Sequence, residues 1–167
     1  MILPATADAS DPVLERVVEH AFDRSSGGID RVVRNIRHGR FERSLAGLTA
    51  MGALVAGAEI WLEHDRASFS NKMMWLPVVL SPIAAAAGVA GVVSPRAAKT
   101  ALPVASAVVL ANSLQGQYLH LRGIGQRPGG WREPRYNMEM GPPTFAPLLF
   151  GLVGGMGLLA AVLRRER

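Results

Sequence analysis

The sequence predicts an all-α protein: a four-helix transmembrane bundle preceded by one or two amphipathic helices in the membrane interface. Three observations carry that prediction. Hydrophobic residues make up 49% of the 167 residues and charged residues 19%, with a mean hydropathy of +0.20. An average soluble domain is about one-quarter charged. The charge is also segregated: most of it lies before residue 44, in the connections and at the C-terminal end. Between those charged stretches stand four apolar blocks, each about as long as the ~20 residues that a helix needs to cross a bilayer. Too little polar sequence is left to wrap four buried helices in water. With no cysteine in the chain, disulfide scaffolds, thiolate metal sites and cysteine nucleophiles are excluded.

Residues 1–42 form the amphipathic, cytoplasmic part of the prediction. Ser10, Asp11 and Pro12 make a helix start, and Val13, Leu14, Val17, Val18, Ala21 and Phe22 recur at helical spacing. Ser25 to Gly28 interrupt this helix. A second stretch sets Ile29, Val32, Val33 and Ile36 on one face, with Arg31, Arg34, Arg37 and Arg40 between them. A basic amphipathic helix lies in the headgroup layer and meets anionic lipid; docking to a cytosolic partner is the alternative. Nothing in the segment resembles a nucleic-acid-binding module, so no nucleic-acid partner is expected. Met1 to Pro12 holds no basic residue, so no cleaved leader is expected.

The membrane domain is predicted over 43–167, with helices at about 44–63, 73–93, 100–121 and 143–163. Its orientation follows from Lys and Arg at the helix ends. Arg31, Arg34, Arg37, Arg40, Arg43, Arg96, Lys99, Arg164, Arg165 and Arg167 fall on one side, densely. The basic residues on the other side are mixed with Glu63, Asp65, Glu133 and Glu139. Both termini are therefore expected in the cytoplasm. Trp61, Trp75, Trp131, Tyr118 and Tyr136 all fall at the opposite surface as a one-sided aromatic belt. Arginine far outnumbers lysine, and Ala, Gly and Pro are abundant. That composition fits a GC-rich bacterial genome, and hence the bacterial inner membrane.

Within the spans, Gly52 and Ala56 on the first helix and the Gly151/Gly155 G-x-x-x-G pair on the fourth are expected to pack helices closely, within the chain or across a dimer. Pro77, Pro82, Pro103 and Pro147 are each expected to kink a helix or sit in its first turn.

The polar residues inside the spans are the candidate site. Glu59, Glu63 and His64 belong to the first helix, and Asn112, Gln115, Gln117 and His120 to the third. Alternating directions bring both sets to the outer end. A carboxylate within the bilayer costs about 3 kcal/mol unless paired or protonated. Glu59 shares a face with Gly52 and Ala56 and is expected to point into the bundle. Such a cluster has several uses. Two histidines can ligate haem b; carboxylates with imidazoles suit zinc, iron or manganese; Glu59 can titrate in a quinone or proton site; or the group simply bonds two helices together. The outer loop, 122–141, is long and rich in Gly, Pro and aromatic residues. Arg122, Trp131, Arg135 and Tyr136 are its candidates for a lid over the cluster, with an arginine facing Glu63, or for a partner contact.

No P-loop, nucleophile elbow or His-Glu-x-x-His occurs, and a soluble-type enzyme is not expected. The function read from these residues is a small accessory or assembly subunit packing against partner membrane proteins, or against a second copy. The alternatives are a haem- or quinone-associated redox or proton-handling subunit, and a small transporter acting as a dimer.

Overall fold

A computed structural model describes residues 40–164 continuously, with scattered positions from 13 to 38. The expected amphipathic helices of 1–42 lie largely outside the described residues. Among the described residues every regular element is helical. Helix α1 spans Arg40–Arg66. A single 3₁₀ turn, Lys72–Met74, leads into α2, Trp75–Val93. The short α3, Pro95–Lys99, joins at Thr100 to α4, Ala101–Gly125. A second 3₁₀ turn, Gly130–Arg132, and the short α5, Pro134–Glu139, shape the outer loop before α6, Ala146–Leu163. Four segments are long and apolar enough to cross a membrane: Arg40–Arg66, Lys72–Val93, Pro95–Gly125 and Ala146–Leu163.

The helix ends differ from those expected. α1 begins at Arg40 and α4 runs to Gly125, because hydropathy marks the part of a helix in hydrocarbon, whereas its charged ends continue into the headgroups. At 27 residues α1 is about 40 Å long, against about 30 Å of hydrocarbon. α6 begins only at Ala146: Pro147 has no N–H to give the Pro143 carbonyl a helical bond, and that carbonyl accepts from His120 instead. Pro77, Pro103 and Pro147 sit in first turns; Pro82 alone of the four is inside a helix.

The helices stand at the corners of a square. α1 packs along α2 and α6, and α4 along the same two, so that α1 and α4 oppose each other across a diagonal. The interior is built from small side chains: Ala53, Ala84, Ala85, Val109 and Val153 around Phe150, and Ala46, Leu102 and Ala160 nearer the basic end. In lipid there is no hydrophobic gain from pairing apolar helices, and stability comes from close packing and buried hydrogen bonds. Glycine supplies the approach. A Cβ on Gly88 would meet the Ala46 carbonyl oxygen and the Ala50 nitrogen, each at 2.8 Å, and one on Gly154 would meet the Ser106 carbonyl oxygen at 2.8 Å. Serines face the other glycines: Gly57 lies on Ser81, Gly151 on Ser113 and Gly157 on Ser106. Two of these hydroxyls are satisfied by backbone: Ser81 Oγ donates to the Pro77 carbonyl at 2.7 Å, and Ser113 Oγ donates across to the Pro147 carbonyl.

The outer surface is the reverse of a soluble protein's. Leu54, Val55, Val79, Val93, Leu149, Leu152 and Val162 are among many large apolar side chains that are exposed. Facing water, such a surface would aggregate; facing acyl chains, it is matched to its solvent. The chain is an integral membrane protein of the four-helix bundle class. Trp61, Trp75, Trp131, Tyr118 and Tyr136 are all exposed toward one end, and Arg40, Arg43, Arg96, Lys99 and Arg164 gather at the other.

Candidate functional site at the aromatic end

The first turn after α1 is tight. Ser68 and Phe69 take left-handed backbone angles, φ 53° and 44°, which side chains other than glycine rarely adopt. The turn lays the Phe69 ring flat on Trp75, with centroids 4.1 Å apart and planes 17° apart, and edge-on to His64 at 6.2 Å. His64 is thus half-buried at the helix end, with one aromatic ring beside it. Glu63 does not reach the outer loop; it accepts from Arg66 Nη1 at 2.9 Å, one turn along α1.

On α4, His120 Nδ1 lies 2.7 Å from the Pro143 carbonyl oxygen and ties α4 to the approach to α6. A carbonyl can only accept, so this nitrogen carries the proton. Asn112 and Gln117 are half-buried, and Gln117 Oε1 is enclosed without a hydrogen-bond partner. Gln115 and Glu59 are exposed on the outside of the bundle. The expectation that Glu59 points inward is therefore not met. The buried stripe of α1 is Glu42, Ala46, Thr49, Ala50 and Ala53; Gly52 and Ala56 are half-buried at its edge, with Ala56 packed against the core. Gly52 faces α6 at the rim, where a Cβ would meet Val153 at 3.1 Å.

The two helices that carry the seven polar residues sit diagonally, with Glu59 and Gln115 facing outward, while His64 and His120 remain close enough to interact electrostatically. Among the described residues no group of three or more His, Asp and Glu is placed to hold a metal ion. The groove between α2 and α4 and the recess beside Arg164 are lined by neither His64 nor His120. Of the glycine pair on α6, Gly151 packs within the chain, whereas a Cβ on Gly155 would meet nothing within 4 Å.

The outer loop is ordered by a residue that sequence reasoning passed over. Asn137 is fully buried, and its Nδ2 donates to the Pro128 carbonyl at 3.0 Å and to the Gly130 carbonyl at 2.8 Å. Gly129 and Gly130 have positive φ, 77° and 50°, which lets the chain double back to present those carbonyls. The Trp131 indole then rests on Gly125, where a Cβ would lie 2.7 Å from Nε1. Arg135 pairs with Glu139 at 3.0 Å, within α5, rather than with Glu63; Arg122 and Tyr136 are exposed. Replacing Asn137 by alanine removes both hydrogen bonds made by this buried side chain, at a cost of about 1–3 kcal/mol. Limited trypsinolysis at Arg127, Arg132 and Arg135 should then run about tenfold faster than in the parent chain; equal rates would remove Asn137 from this role.

Sequence reasoning also passed over two buried charges at the basic end. Glu42 is 0% exposed, and neither carboxylate oxygen has a hydrogen-bond partner. Arg164 is 3% exposed, and its Nη1 donates to the Gly91 carbonyl at 3.0 Å. Their helical spacing was the available signal. Glu42 continues the inward stripe of Ala46, Thr49 and Ala53, and Arg164 continues that of Val153, Gly157 and Ala160.

Comparison of the chain with known protein families, characterised proteins and solved structures finds no match.

Proposed function

We propose that the protein is a small accessory or assembly subunit of the bacterial inner membrane, with both termini cytoplasmic, that packs against the transmembrane helices of a larger partner. One observation carries the reading. Glu59 projects from the outside of α1 between Val55 and Leu62, which are themselves exposed. It makes no hydrogen bond or ion pair among the described residues. Glu59 stands seven residues inside the Arg66 end, roughly 10 Å along the helix, and two residues deeper than Trp61 of the aromatic belt, just inside the hydrocarbon. Lipid offers a carboxyl group no partner, and holding one in hydrocarbon costs up to about 3 kcal/mol at mid-bilayer and less toward the headgroups. A polar or basic side chain on a neighbouring helix removes that cost. The open notch at Gly155 on the adjoining α6, with no atom within 4 Å of a Cβ, gives a second helix room to approach.

The test is a photo-cross-linking residue at Val55 in cells, with Glu59 kept, replaced by glutamine, or replaced by leucine. The parent chain should cross-link to a distinct membrane protein. Glu59→Leu should reduce that product about tenfold, and Glu59→Gln should retain part of it. Cross-links to a second copy alone, or a product indifferent to Glu59→Leu, would overturn the reading.

A further inference from the structure

The basic end carries a feature that the partner-packing reading does not use. Between α2 and α4 lies an apolar groove of about 950 Å³, walled by Ile83, Ala87 and Ala90 on one side and Val104, Ala105 and Val108 on the other. Its only polar borders, Lys99 and Thr100, lie together at one end. Around Pro103 a smaller recess of about 340 Å³ opens beside α6, and it is lined by Lys99 and the buried Arg164. Lys99 and Pro103 border both spaces. A cation therefore stands where a polar recess meets a long apolar trough.

We propose that this junction holds one anionic phospholipid, its phosphate at Lys99 and an acyl chain laid along the α2–α4 groove. Length supports a lipid over a peptide helix. From Lys99 to Val108 the groove runs roughly 14 Å along α4, close to the ~15 Å depth of a single leaflet. Its polar end then falls at the headgroup layer and its apolar end near the midplane. Charge supports an anionic headgroup over a zwitterionic one. Lys99 is exposed at the mouth shared by the two spaces and supplies the positive charge; Arg164 is buried, with its Nη1 donating to the Gly91 carbonyl, and walls the recess. Each basic residue near the surface favours an anionic lipid by roughly fivefold. Alanines on both walls keep the trough open, and a larger side chain would fill it.

The experiment is lipid retention. The full chain is reconstituted into nanodiscs of equimolar phosphatidylglycerol and phosphatidylcholine, re-extracted in mild detergent, and the retained lipid is identified by mass spectrometry. The parent chain should retain phosphatidylglycerol about fivefold above its bulk share. Lys99→Gln should bring the two lipids to parity. Ala105→Phe, with Lys99 intact, should lower retention of phosphatidylglycerol by blocking the trough. Lys72→Gln, at the far end of the molecule, should change nothing. Equal retention of both lipids by the parent chain, an undiminished preference in Lys99→Gln, or an equal loss in Lys72→Gln would overturn the proposal. None of these outcomes depends on Glu59 or on a protein partner.

Discussion

Gly88→Leu is expected to separate α1 from α2 and to destabilise the bundle by about 3 kcal/mol. A Cβ at this position would come within 2.8 Å of the Ala46 carbonyl oxygen and the Ala50 nitrogen and 2.9 Å of the Ala50 Cβ. Two of those atoms are backbone, and no rotamer change relieves the clash. The two helices must move apart, and with them Ala46, Ala53 and Ala84, which the close approach buries. Gly155→Leu is the control. It has the same chemistry on a helix of the same bundle, with no atom within 4 Å of the new Cβ, and should change stability by less than about 0.5 kcal/mol. Unfolding in detergent against added sodium dodecyl sulfate reads both. A shift of similar size in both variants would mean that the glycine-lined approach of α1 to α2 is not what holds the bundle together.

The second large effect is expected at the buried charges. Glu42 and Arg164 are the only formally charged residues among the fully buried described ones. Both cap inward stripes that end at the basic face: the Ala46 stripe on α1 and the Ala160 stripe on α6 pack in one cluster, and a Cβ on Gly91, whose carbonyl receives the Arg164 hydrogen bond, would lie 3.5 Å from the Ala46 Cβ. Removing one of two compensating buried charges typically costs 3–5 kcal/mol, because the survivor is left in low dielectric. Arg164→Met is therefore expected to cost about 3 kcal/mol. Combining it with Glu42→Gln should recover part of that loss, since no net charge then remains inside. The same detergent titration measures the cycle. Additive losses in the double variant would show that the two charges do not compensate one another.

The four spans were legible in the sequence because their length and lack of charge match a physical thickness. The aromatic belt was legible for a related reason: Trp61, Trp75 and Trp131 each stand near the end of an apolar block. The site was less so. Sequence placed Glu59 on the small-residue face of α1, but a helix in a square bundle turns only one narrow stripe fully inward, and here Ala46, Ala50 and Ala53 occupy it. Alternation of direction put His64 and His120 at one end without revealing that α1 and α4 are diagonal. That depends on which helix pairs close, a property of Gly57, Gly88, Gly154 and Gly157 against their partners, not of the polar residues. Glu42 and Arg164 were hidden by position, since charges at the ends of apolar blocks read as solvated. The loop role of Asn137 was hidden because the carbonyls it binds are backbone groups, invisible in a sequence.

The central claim is that the chain crosses the membrane four times with its two ends on one side. The absence of cysteine makes that directly measurable. Single cysteines at Ser68, Thr100 and Arg132, and at Val89 on the apolar face of α2, are treated with a membrane-impermeant maleimide in intact cells and after disruption. Ser68→Cys and Arg132→Cys should label in intact cells, Thr100→Cys only after disruption, and Val89→Cys in neither. Labelling of Ser68→Cys and Thr100→Cys from the same side, or ready labelling of Val89→Cys, would contradict it.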